Sequence, residues 1–408
     1  MNICVICPFV GRGLGGLERV GVDLCNYLSL SGHRVALAYY GSHDPQYQAV
    51  GDIVLVSSLE NFSRTINKLE QFKPDVILGM SSGFRSIYFF KIADTLSVPF
   101  CIHESTHFDR FCNQNWAKPR KISLEEAIFE REAVCAQAYR IRHVLDHSYR
   151  FFPKYIQNQV IIFPNAVVSC SVDDVLRDSV SPIENRKQII NVGGLKKVKN
   201  IKVLLEAFRE FVEEFSDWKL VVCGKGFDRE EVYQNSIFEY VRNNNLSAYV
   251  QFLGNVDDMK SEYLRSSVHV VTSRDENFCM CLAEAIACGL PSIGYTESFG
   301  VSSLIESNVN GILVNHDSDS HELFLAMRSI ASDSKLMKFM SDNSFSKAKM
   351  FNPENIYKHW ELLFSDSVSY SRNPKMLLNE QLLIDSENPL LAKRKAKQLI
   401  NTFSDSFS

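Results

Sequence analysis

The feature that most constrains this chain is a repeated alternation of short, mostly apolar runs with longer amphipathic segments. In the first part of the chain the apolar runs cover residues 3–7, 35–40, 53–56, 75–80, 99–103 and 160–163. Segments with helical spacing, such as residues 17–30 and 62–72, lie between several of these runs. Continuous apolar strands that alternate with helices are typical of a parallel sheet covered on both faces. The sequence therefore predicts a Rossmann-like, doubly wound α/β domain over residues 1–165.

A second alternating set follows residues 166–186, a polar stretch rich in Ser and Asp that is predicted to be a linker. Its predicted strands and helices cover residues 188–192, 201–215, 218–223, 228–244, 250–253, 268–272, 278–288, 291–295, 311–314 and 321–330. The sequence therefore predicts a second doubly wound domain over residues 187–350. Two domains also suit a chain of 408 residues, which is long for a single core.

The segments after the second domain differ in kind. Residues 353–364 have helical spacing, come after the second sheet is complete, and are expected to pack back on the first domain. Residues 366–408 are rich in Ser, Asp, Asn and Lys, and we expect a partly disordered tail there. Within this tail a basic run accompanies an apolar helical face, which would suit an anionic membrane surface. The apolar face comprises Ala392, Ala396, Leu399, Ile400 and Phe403.

Composition excludes several classes of protein. A net charge of −4 gives no overall attraction to nucleic acid, so no nucleic-acid partner is expected. No apolar run reaches the roughly 18–20 residues that span a membrane, and the first residues lack the basic segment of a signal peptide. The 11 cysteines are scattered without zinc-site spacing, which indicates free thiols. We expect a cytoplasmic protein, attached at most to the inner face of the plasma membrane, with the basic and aromatic residues 139–155 as a second candidate for that attachment.

A glycine-rich loop at residues 11–16 follows the first predicted strand and precedes a helix that contains Glu18. Glycines at such a turn allow backbone N–H groups to approach a phosphate at the positive end of the helix. A dinucleotide cofactor would require an acidic residue at the end of the next strand, yet no carboxylate follows Tyr40 until Asp44. A sugar-nucleotide contact, a dinucleotide site and a purely structural turn all remain open at this point.

Two glutamates flank the start of a later helix. Glu276 lies in the turn after the predicted strand 268–272, and Glu284 follows on the helix that ends near Cys288. A helix N-terminus offers unpaired N–H groups that can bind a diphosphate. A nucleoside diphosphate sugar has a sugar at one end, a diphosphate in the middle and a ribose at the other end. Carboxylates on either side of a helix N-terminus match that order of parts, although both could instead be helix-surface charges.

Three lysines, Lys196, Lys197 and Lys199, directly follow the predicted strand 188–192. The carboxyl end of a strand in an open α/β sheet faces the crevice in which ligands bind, so these lysines could meet a phosphate. A solvated lysine cluster is the alternative. A metal site is a further possibility, because Asp317 and Asp319 have the spacing of an acidic metal motif. They lie in a polar loop after the last predicted strand, away from the proposed diphosphate site, so we expect no metal and no resident cofactor.

Taken together, these motifs resemble the retaining glycosyltransferases of family 4, which have the GT-B fold. The most specific element is the run from Glu276 to Ala285, which resembles the family's Glu-x7-Glu signature, continued by residues 287–291. Weaker supporting pieces occur in the same order as in the family, at residues 15–18, 32–33, 163–166, 224–226, 252–255 and 310–314. The resemblance extends from the first strand to about Phe364 and implies two Rossmann-like domains that face an interdomain cleft, the first binding the acceptor and the second the nucleotide sugar.

The resemblance also implies roles for single residues. Glu276 would contact the donor sugar near its reacting carbon, Glu284 would hold the ribose, and Lys199 would bind the diphosphate. His103 would lie near the transferred sugar, with Glu104 and His107 as rivals for that place. Further donor contacts are implied for the set Gly15, Gly16, Asn165, Gly194, Gly224, Asn277, Phe278 and Cys279.

This chain departs from the family pattern at two positions. Asn277 replaces a glycine, which is a mild change because Asn also tolerates a left-handed backbone. Gly194 replaces an arginine expected on the diphosphate, so Lys199 should carry most of the stabilising charge, helped by Lys196 or Lys197. Substitution of Gly194 by arginine is expected to be tolerated if the space is open and to inactivate the enzyme if it is filled.

The expected reaction transfers a sugar from a nucleotide donor to an acceptor hydroxyl with retention at the anomeric carbon. The acceptor would be a glycan or a lipid-linked glycan, in the synthesis of a bacterial surface polysaccharide, lipopolysaccharide or glycoconjugate. A sugar phosphorylase or a nucleotide-sugar epimerase on the same architecture is one alternative. A partner subunit without catalytic activity is another, and the missing arginine at Gly194 is the feature that favours it.

Overall fold

The computed structural model describes residues 1–8, 16–40, 52–81, 85–106, 123–145, 152–168, 181–226, 228–315 and 320–371. The chain divides into two compact units. One unit comprises Met1–Pro164 together with the chain from Glu354 onward, and the other comprises Asn165–Pro353.

The first unit is built on a parallel sheet of seven strands in the order β3-β2-β1-β4-β5-β6-β7. Its strands are β1 (Asn2–Ile6), β2 (Arg34–Ala38), β3 (Ile53–Val56), β4 (Val76–Gly79), β5 (Phe100–Glu104), β6 (Arg140–His143) and β7 (Val160–Ile162). All residues of β4 and β5 are buried, whichever face of the sheet they point to. Strands buried on both faces are typical of a doubly wound sheet, as the continuous apolar runs predict.

Strand β6 is absent from the sequence-based prediction, which placed residues 139–155 on a basic surface. Its four residues, Arg-Ile-Arg-His, look polar, yet Arg142 is 0% exposed. The Arg142 guanidinium lies over the rings of Phe163 and Trp360, at 4.6 Å and 5.3 Å from their centroids. The side chain of Arg140 pairs with Asp366 at 2.9 Å. Assigning Arg142 to a membrane-facing surface was therefore wrong, because aromatic packing and burial hold this residue inside the unit.

The helices of the first unit are α1 (Gly16–Leu30), α2 (Phe62–Phe72), α3 (Arg85–Thr95), α4 (Leu124–Gln137) and the single turn α5 (Lys154–Gln157). Helix α2 shows why they form where they do. The Asn61 side chain accepts a hydrogen bond from the backbone N–H of Arg64 and caps the first turn. Ile66, Leu69 and Phe72 recur at helical spacing and are buried on one face, so packing against the sheet completes the helix.

A long helix, α13 (Pro353–Ser371), closes the first unit and runs past the predicted end at Phe364. Tyr357 stacks on Tyr27 of α1 with ring centroids 4.3 Å apart. Ser367 Oγ lies 3.2 Å from the Sγ of Cys101 in β5. Residues 366–371, expected in the tail, therefore belong to this helix, while residues 372–408, including the amphipathic stretch, lie outside the described residues.

The second unit has a parallel sheet of six strands in the order β10-β9-β8-β11-β12-β13. The strands are β8 (Gln188–Val192), β9 (Lys219–Cys223), β10 (Val250–Gly254), β11 (Val268–Val270), β12 (Ser292–Tyr295) and β13 (Gly311–Val314). The helices are α6 (Ile201–Glu214), α7 (Glu231–Asn243), α8 (Met259–Arg265), α9 (Met280–Ala287), α10 (Phe299–Ser302), α11 (Ser320–Ser332) and α12 (Ser334–Ala348). The prediction of two doubly wound α/β sheets in tandem is therefore confirmed.

Candidate active site

The direction of strand order in the second sheet changes between β8 and β11, which are hydrogen-bonded neighbours. Ligands of doubly wound sheets bind outside the carboxyl ends of the strands at such a switch point. Lys199 follows β8 and Glu276 follows β11, so the topology brings both residues to the same edge. The Thr272 hydroxyl donates a hydrogen bond to the carbonyl oxygen of Lys199 at 2.8 Å and joins the two loops.

Lys199 and Glu276 form an ion pair at this edge. The Lys199 Nζ donates to Glu276 Oε1 at 2.5 Å, with side chains 20% and 14% exposed. Burial by itself would lower the pKa of the Lys199 ammonium, but attraction to Glu276, followed by Cys281 and Cys279, outweighs burial and raises that pKa. Lys199 is therefore a fixed cation over the whole physiological pH range, in contact with the carboxylate predicted to meet the sugar.

The two neighbouring lysines have different surroundings. Burial lowers the pKa of Lys196, and repulsion from Lys199 lowers it further, whereas Glu230 and Glu276 act in the opposite direction. Lys196 is therefore close enough to the Lys199–Glu276 ion pair to interact electrostatically with both residues. The Lys197 side chain is exposed, and its backbone N–H donates to Glu230 Oε2 at 3.1 Å. Of the two compensating residues suggested by the sequence, Lys196 is the one in the electrostatic range of the site.

Helix α9 begins at Met280, two residues later than predicted. Its N-cap residue, Cys279, has a left-handed backbone with φ +33° and makes no side-chain cap, so the first backbone N–H groups of the helix are not used by that side chain. The positive φ of this turn lies at Cys279 and not at Asn277, so Asn277 does not need the left-handed backbone that asparagine tolerates.

Glu284 is buried in α9 at 5% exposure and accepts a hydrogen bond from the Tyr263 hydroxyl at 3.1 Å. The Tyr263 hydroxyl also lies 3.1 Å from the carbonyl oxygen of Cys281. Burial, and then the charge of Glu284, raise the pKa of Tyr263, so the hydroxyl stays protonated and remains a donor. Sequence reasoning missed Tyr263, because nothing in the spacing of α8 indicates that it reaches a carboxylate on α9.

Two glycines explain the missing arginine. Gly194 has φ +77°, and a Cβ atom built on it would lie 2.2 Å from the carbonyl oxygen of Lys225. Gly224 has φ +104°, and its Cβ would lie 2.7 Å from the backbone nitrogen of Gly194. The loops after β8 and β9 therefore touch backbone to backbone, which leaves no room for a side chain at either position. The space at Gly194 is filled by main-chain atoms.

Other predicted donor contacts surround the start of α9. The side-chain amide of Asn165 lies 3.5 Å from the Sδ of Met280, although 115 positions separate the two residues. Phe278 is 4% exposed and packs edge-on against Phe351 at a centroid distance of 6.0 Å, which is a core contact. Gly300, which sequence reasoning missed, donates its N–H to the carbonyl oxygen of Glu276 at 2.9 Å. A Cβ on Gly300 would lie 2.5 Å from that same oxygen.

The candidates in the first unit lie in a different setting. His103 is 1% exposed, its Nδ1 is 2.8 Å from an Arg142 guanidinium nitrogen, and its ring centroid is 6.0 Å from that of Trp360. Burial, and then the Arg142 charge, hold the pKa of His103 well below its usual range, so the imidazole is neutral. Glu104 is also buried, in an ion pair with Arg131 at 3.2 Å. The structure thus packs His103 inside this unit, and its contact with a sugar stays a prediction.

Several predicted residues are placed elsewhere. Gly16 is the first residue of α1, and the nearby Glu18 is buried. Gly15, His107, Asp317 and Asp319 lie outside the described residues. Within the described ranges, no group of three or more His, Cys, Asp or Glu side chains is arranged to hold a metal ion. In that same part of the chain, no helix is long and apolar enough to cross a membrane.

Comparison with known proteins bears on this geometry. Residues 173–347 match the family described as glycosyl transferases group 1. A Haemophilus influenzae protein described as a glycosyltransferase is 22% identical over 85% of this chain and 95% of its own length. The amylovoran biosynthesis glycosyltransferase AmsD of Erwinia amylovora is 24% identical over 85% of this chain and 95% of its own length.

A likeness to solved structures concerns the fold. Anabaena HepE in complex with UDP superposes with a TM-score of 0.72 at 16% identity, covering 90% of this chain and all of that chain. The fold is therefore GT-B, as the resemblance implied. Together with the match of residues 173–347, this shows that the chain is similar in sequence and in fold to group 1 glycosyltransferases.

Proposed function

We propose that the chain is a group 1 glycosyltransferase, and that it transfers a sugar from a nucleoside diphosphate sugar to an acceptor hydroxyl with retention of the anomeric configuration. The Lys199–Glu276 pair at the switch point, beside the N-terminus of α9, is the observation that carries the proposal. HepE was crystallised with UDP, and AmsD is named as an amylovoran biosynthesis glycosyltransferase. These relatives favour a nucleotide donor and a glycan or lipid-linked acceptor in a bacterial surface polysaccharide, lipopolysaccharide or glycoconjugate.

The proposed mechanism follows from charge. The diphosphate gains negative charge as its bond to the sugar breaks, and a cation fixed beside it stabilises the transition state more than the ground state. Lys199 supplies that cation, Lys196 adds to it, and the first N–H groups of α9 add a partial positive charge. A bound diphosphate attracts the Lys199 ammonium away from Glu276. The Glu276 carboxylate is then available to the sugar, whose reacting carbon becomes positive as the bond breaks.

Glu284 is proposed to hold the ribose diol. A buried carboxylate accepts hydrogen bonds from hydroxyl groups, and the Tyr263 hydroxyl fixes one of its oxygens at 3.1 Å. We propose that a ribose hydroxyl donates a further hydrogen bond to this carboxylate. No residue is assigned as a covalent nucleophile, and the stabilising charges come from lysine and the helix terminus, so we propose that transfer proceeds without a metal ion.

The alternative of an inactive partner subunit loses its main support. That alternative depended on interpreting Gly194 as the loss of a catalytic arginine. The Lys225 carbonyl oxygen, however, lies so close to Gly194 that main-chain packing requires a glycine there. A phosphorylase or an epimerase remains distinguishable by its products. Phosphate-dependent release of a sugar phosphate would indicate the former, and interconversion of nucleotide sugars without an acceptor would indicate the latter.

The test begins with thermal unfolding in the presence of a panel of nucleotide sugars. A ligand at 100 times its dissociation constant stabilises the folded state by about 2.7 kcal/mol. The donor found in this way is then used in a transfer assay, with NMR to assign the anomeric configuration of the product. We expect Glu276→Gln to lower turnover by about two orders of magnitude. Wild-type turnover in that variant, or an inverted product, would refute the proposed mechanism.

A further inference from the structure

A pair of cysteines lies within the Glu276–Glu284 segment. Cys279 is the N-cap residue of α9, Cys281 is the second residue of the helix, and their Sγ atoms are 3.6 Å apart. Both residues belong to the turn and helix start that link the two proposed donor-binding carboxylates. The mechanism proposed above uses neither thiol, so this dithiol calls for an explanation of its own.

We propose that Cys279 and Cys281 are a redox modification site, at which a low-molecular-weight disulfide converts the dithiol to an intramolecular disulfide and thereby switches off sugar transfer. The formation of the disulfide is independent of the proposed function. The effect on transfer rests on that function.

The two thiols differ in reactivity in the way that such an exchange requires. The hydrogen bond donated by the Cys279 thiol lowers the pKa of Cys281 well below its usual range, and His269 and Lys199 lower it further, although burial acts in the opposite direction. The pKa of Cys279 is raised by that same hydrogen bond and by burial. Cys281 is therefore the thiolate nucleophile, and Cys279 is the protonated partner that resolves the mixed disulfide.

Most other cysteines in the described chain lack these features. Burial alone raises the pKa of Cys4 to about 12. The pKa values of Cys135 and Cys223 are also raised to about 12, and burial is the largest cause of both shifts. Such thiols are largely protonated at neutral pH and react slowly. Cys281 is also less deeply buried than Cys279, being of intermediate exposure. Selectivity for the Cys279–Cys281 pair therefore follows from charge and position.

The exchange balances in atoms and electrons. The Cys281 thiolate attacks one sulfur of the small disulfide, forming a mixed disulfide and releasing one small thiolate. Cys279 then loses its proton to solvent and attacks Cys281 Sγ, which releases the second small thiolate and closes the protein disulfide. Starting from the Cys281 thiolate and the Cys279 thiol, the protein loses two electrons and one proton, and the small disulfide is reduced to two thiolates, which take up protons from solvent.

Closure of this disulfide must deform the donor site. The sulfurs would have to approach from 3.6 Å to about 2.05 Å within three consecutive residues, one of which already has a left-handed backbone. The change also removes the Cys281 negative charge, which contributes to the attraction that raises the pKa of Lys199. Displacement of a catalytic group by about 1 Å can cost about 100-fold in rate, so we expect a fall in transfer of at least about tenfold.

The test treats the full-length protein with oxidised glutathione and follows two readouts. Peptide mass mapping is expected to show one peptide that contains Cys279 and Cys281 and has lost two hydrogens. Transfer activity is expected to fall and to recover on addition of dithiothreitol. Cys281→Ser should form no linked peptide, and its transfer activity should be the same before and after the glutathione treatment. Cys288→Ser, at the other end of α9, should respond as the wild type does.

Three results would overturn the inference: absence of the linked peptide, a linked peptide with unchanged transfer, or an equal loss of activity in Cys281→Ser. If Cys281→Ser does not fold, the pH dependence of wild-type alkylation at Cys281, mapped by mass spectrometry, provides the second test. Alkylation with the pH dependence of an ordinary thiol would refute the assignment. If no donor supports transfer at all, the proposed function fails, while the disulfide mapping still decides the modification.

Discussion

Removal of the Lys199 ammonium should separate the catalytic role of this residue from its structural role. In Lys199→Ala the Glu276 carboxylate, 14% exposed, loses the partner that now lies 2.5 Å away. Loss of one partner from a fully buried ion pair costs about 3–5 kcal/mol of folding free energy. Because both side chains here retain some contact with solvent, we expect a smaller loss, about 1–3 kcal/mol.

Lys199→Ala should lower the rate of sugar transfer more than it lowers stability, and the two losses should not change in parallel across the variants. Loss of one preorganised charge beside a leaving group typically costs about two to three orders of magnitude in turnover. Glu276→Gln removes the charge that Lys199 balances, so the double variant Lys199→Ala/Glu276→Gln should regain much of the lost stability and still transfer sugar more slowly than Glu276→Gln alone. If Lys199 were only a structural partner of Glu276, the double variant would transfer sugar at the same rate as Glu276→Gln alone.

The assay combines urea unfolding with single-turnover transfer at saturating donor, for wild type, both single variants and the double variant. Lys197→Ala is the matched control, because the Lys197 side chain is exposed in the same 3₁₀ turn. We expect that control to stay within about threefold of the wild-type rate, as for a surface substitution away from the site. Near-normal transfer by Lys199→Ala would show that the diphosphate is held elsewhere, and would refute the assignment of Lys199.

Other substitutions test separate parts of the site. Tyr263→Phe removes a hydrogen bond to the buried Glu284, and steady-state kinetics should show a higher KM for the donor with little change in kcat. An unchanged KM would contradict the assignment of Glu284 to the ribose. Gly194→Arg should inactivate rather than improve the enzyme, because a Cβ there would lie 2.2 Å from the Lys225 carbonyl oxygen, and a soluble, active variant would disprove that packing. Gly300→Ala should lower transfer by displacing the Glu276 carbonyl oxygen, whereas Gly32→Ala, with no atom near its Cβ, should only lower the melting temperature slightly. Deletion of residues 372–408 should reduce sedimentation with anionic vesicles; unchanged binding would exclude the tail as an anchor.

The sequence predicted the sheets of both units well, and the physical reason is burial. Strands such as β4 and β5 are covered on both faces, so they form uninterrupted apolar runs that stand out from the amphipathic helices. Strand β6 escaped prediction because Arg142 is buried by aromatic stacking on Phe163 and Trp360. Such a contact joins residues that are distant in the chain, and no local pattern reports it.

The site was predictable only as far as topology determines it. A residue that follows β8 and one that follows β11 must lie at the same edge of the sheet, so proximity of Lys199 and Glu276 could be inferred before any contact was known.

The meaning of Gly194 could not be inferred in that way. When each position is considered separately, glycine in place of arginine at position 194 indicates only the loss of a contact to the diphosphate. It becomes a requirement once Gly224 is seen to approach it from the neighbouring loop, because two backbones that touch exclude a side chain from both. In the proposed mechanism the loop after β8 therefore relies on Lys199, and a donor diphosphate would displace Glu276 from its ion pair with this lysine.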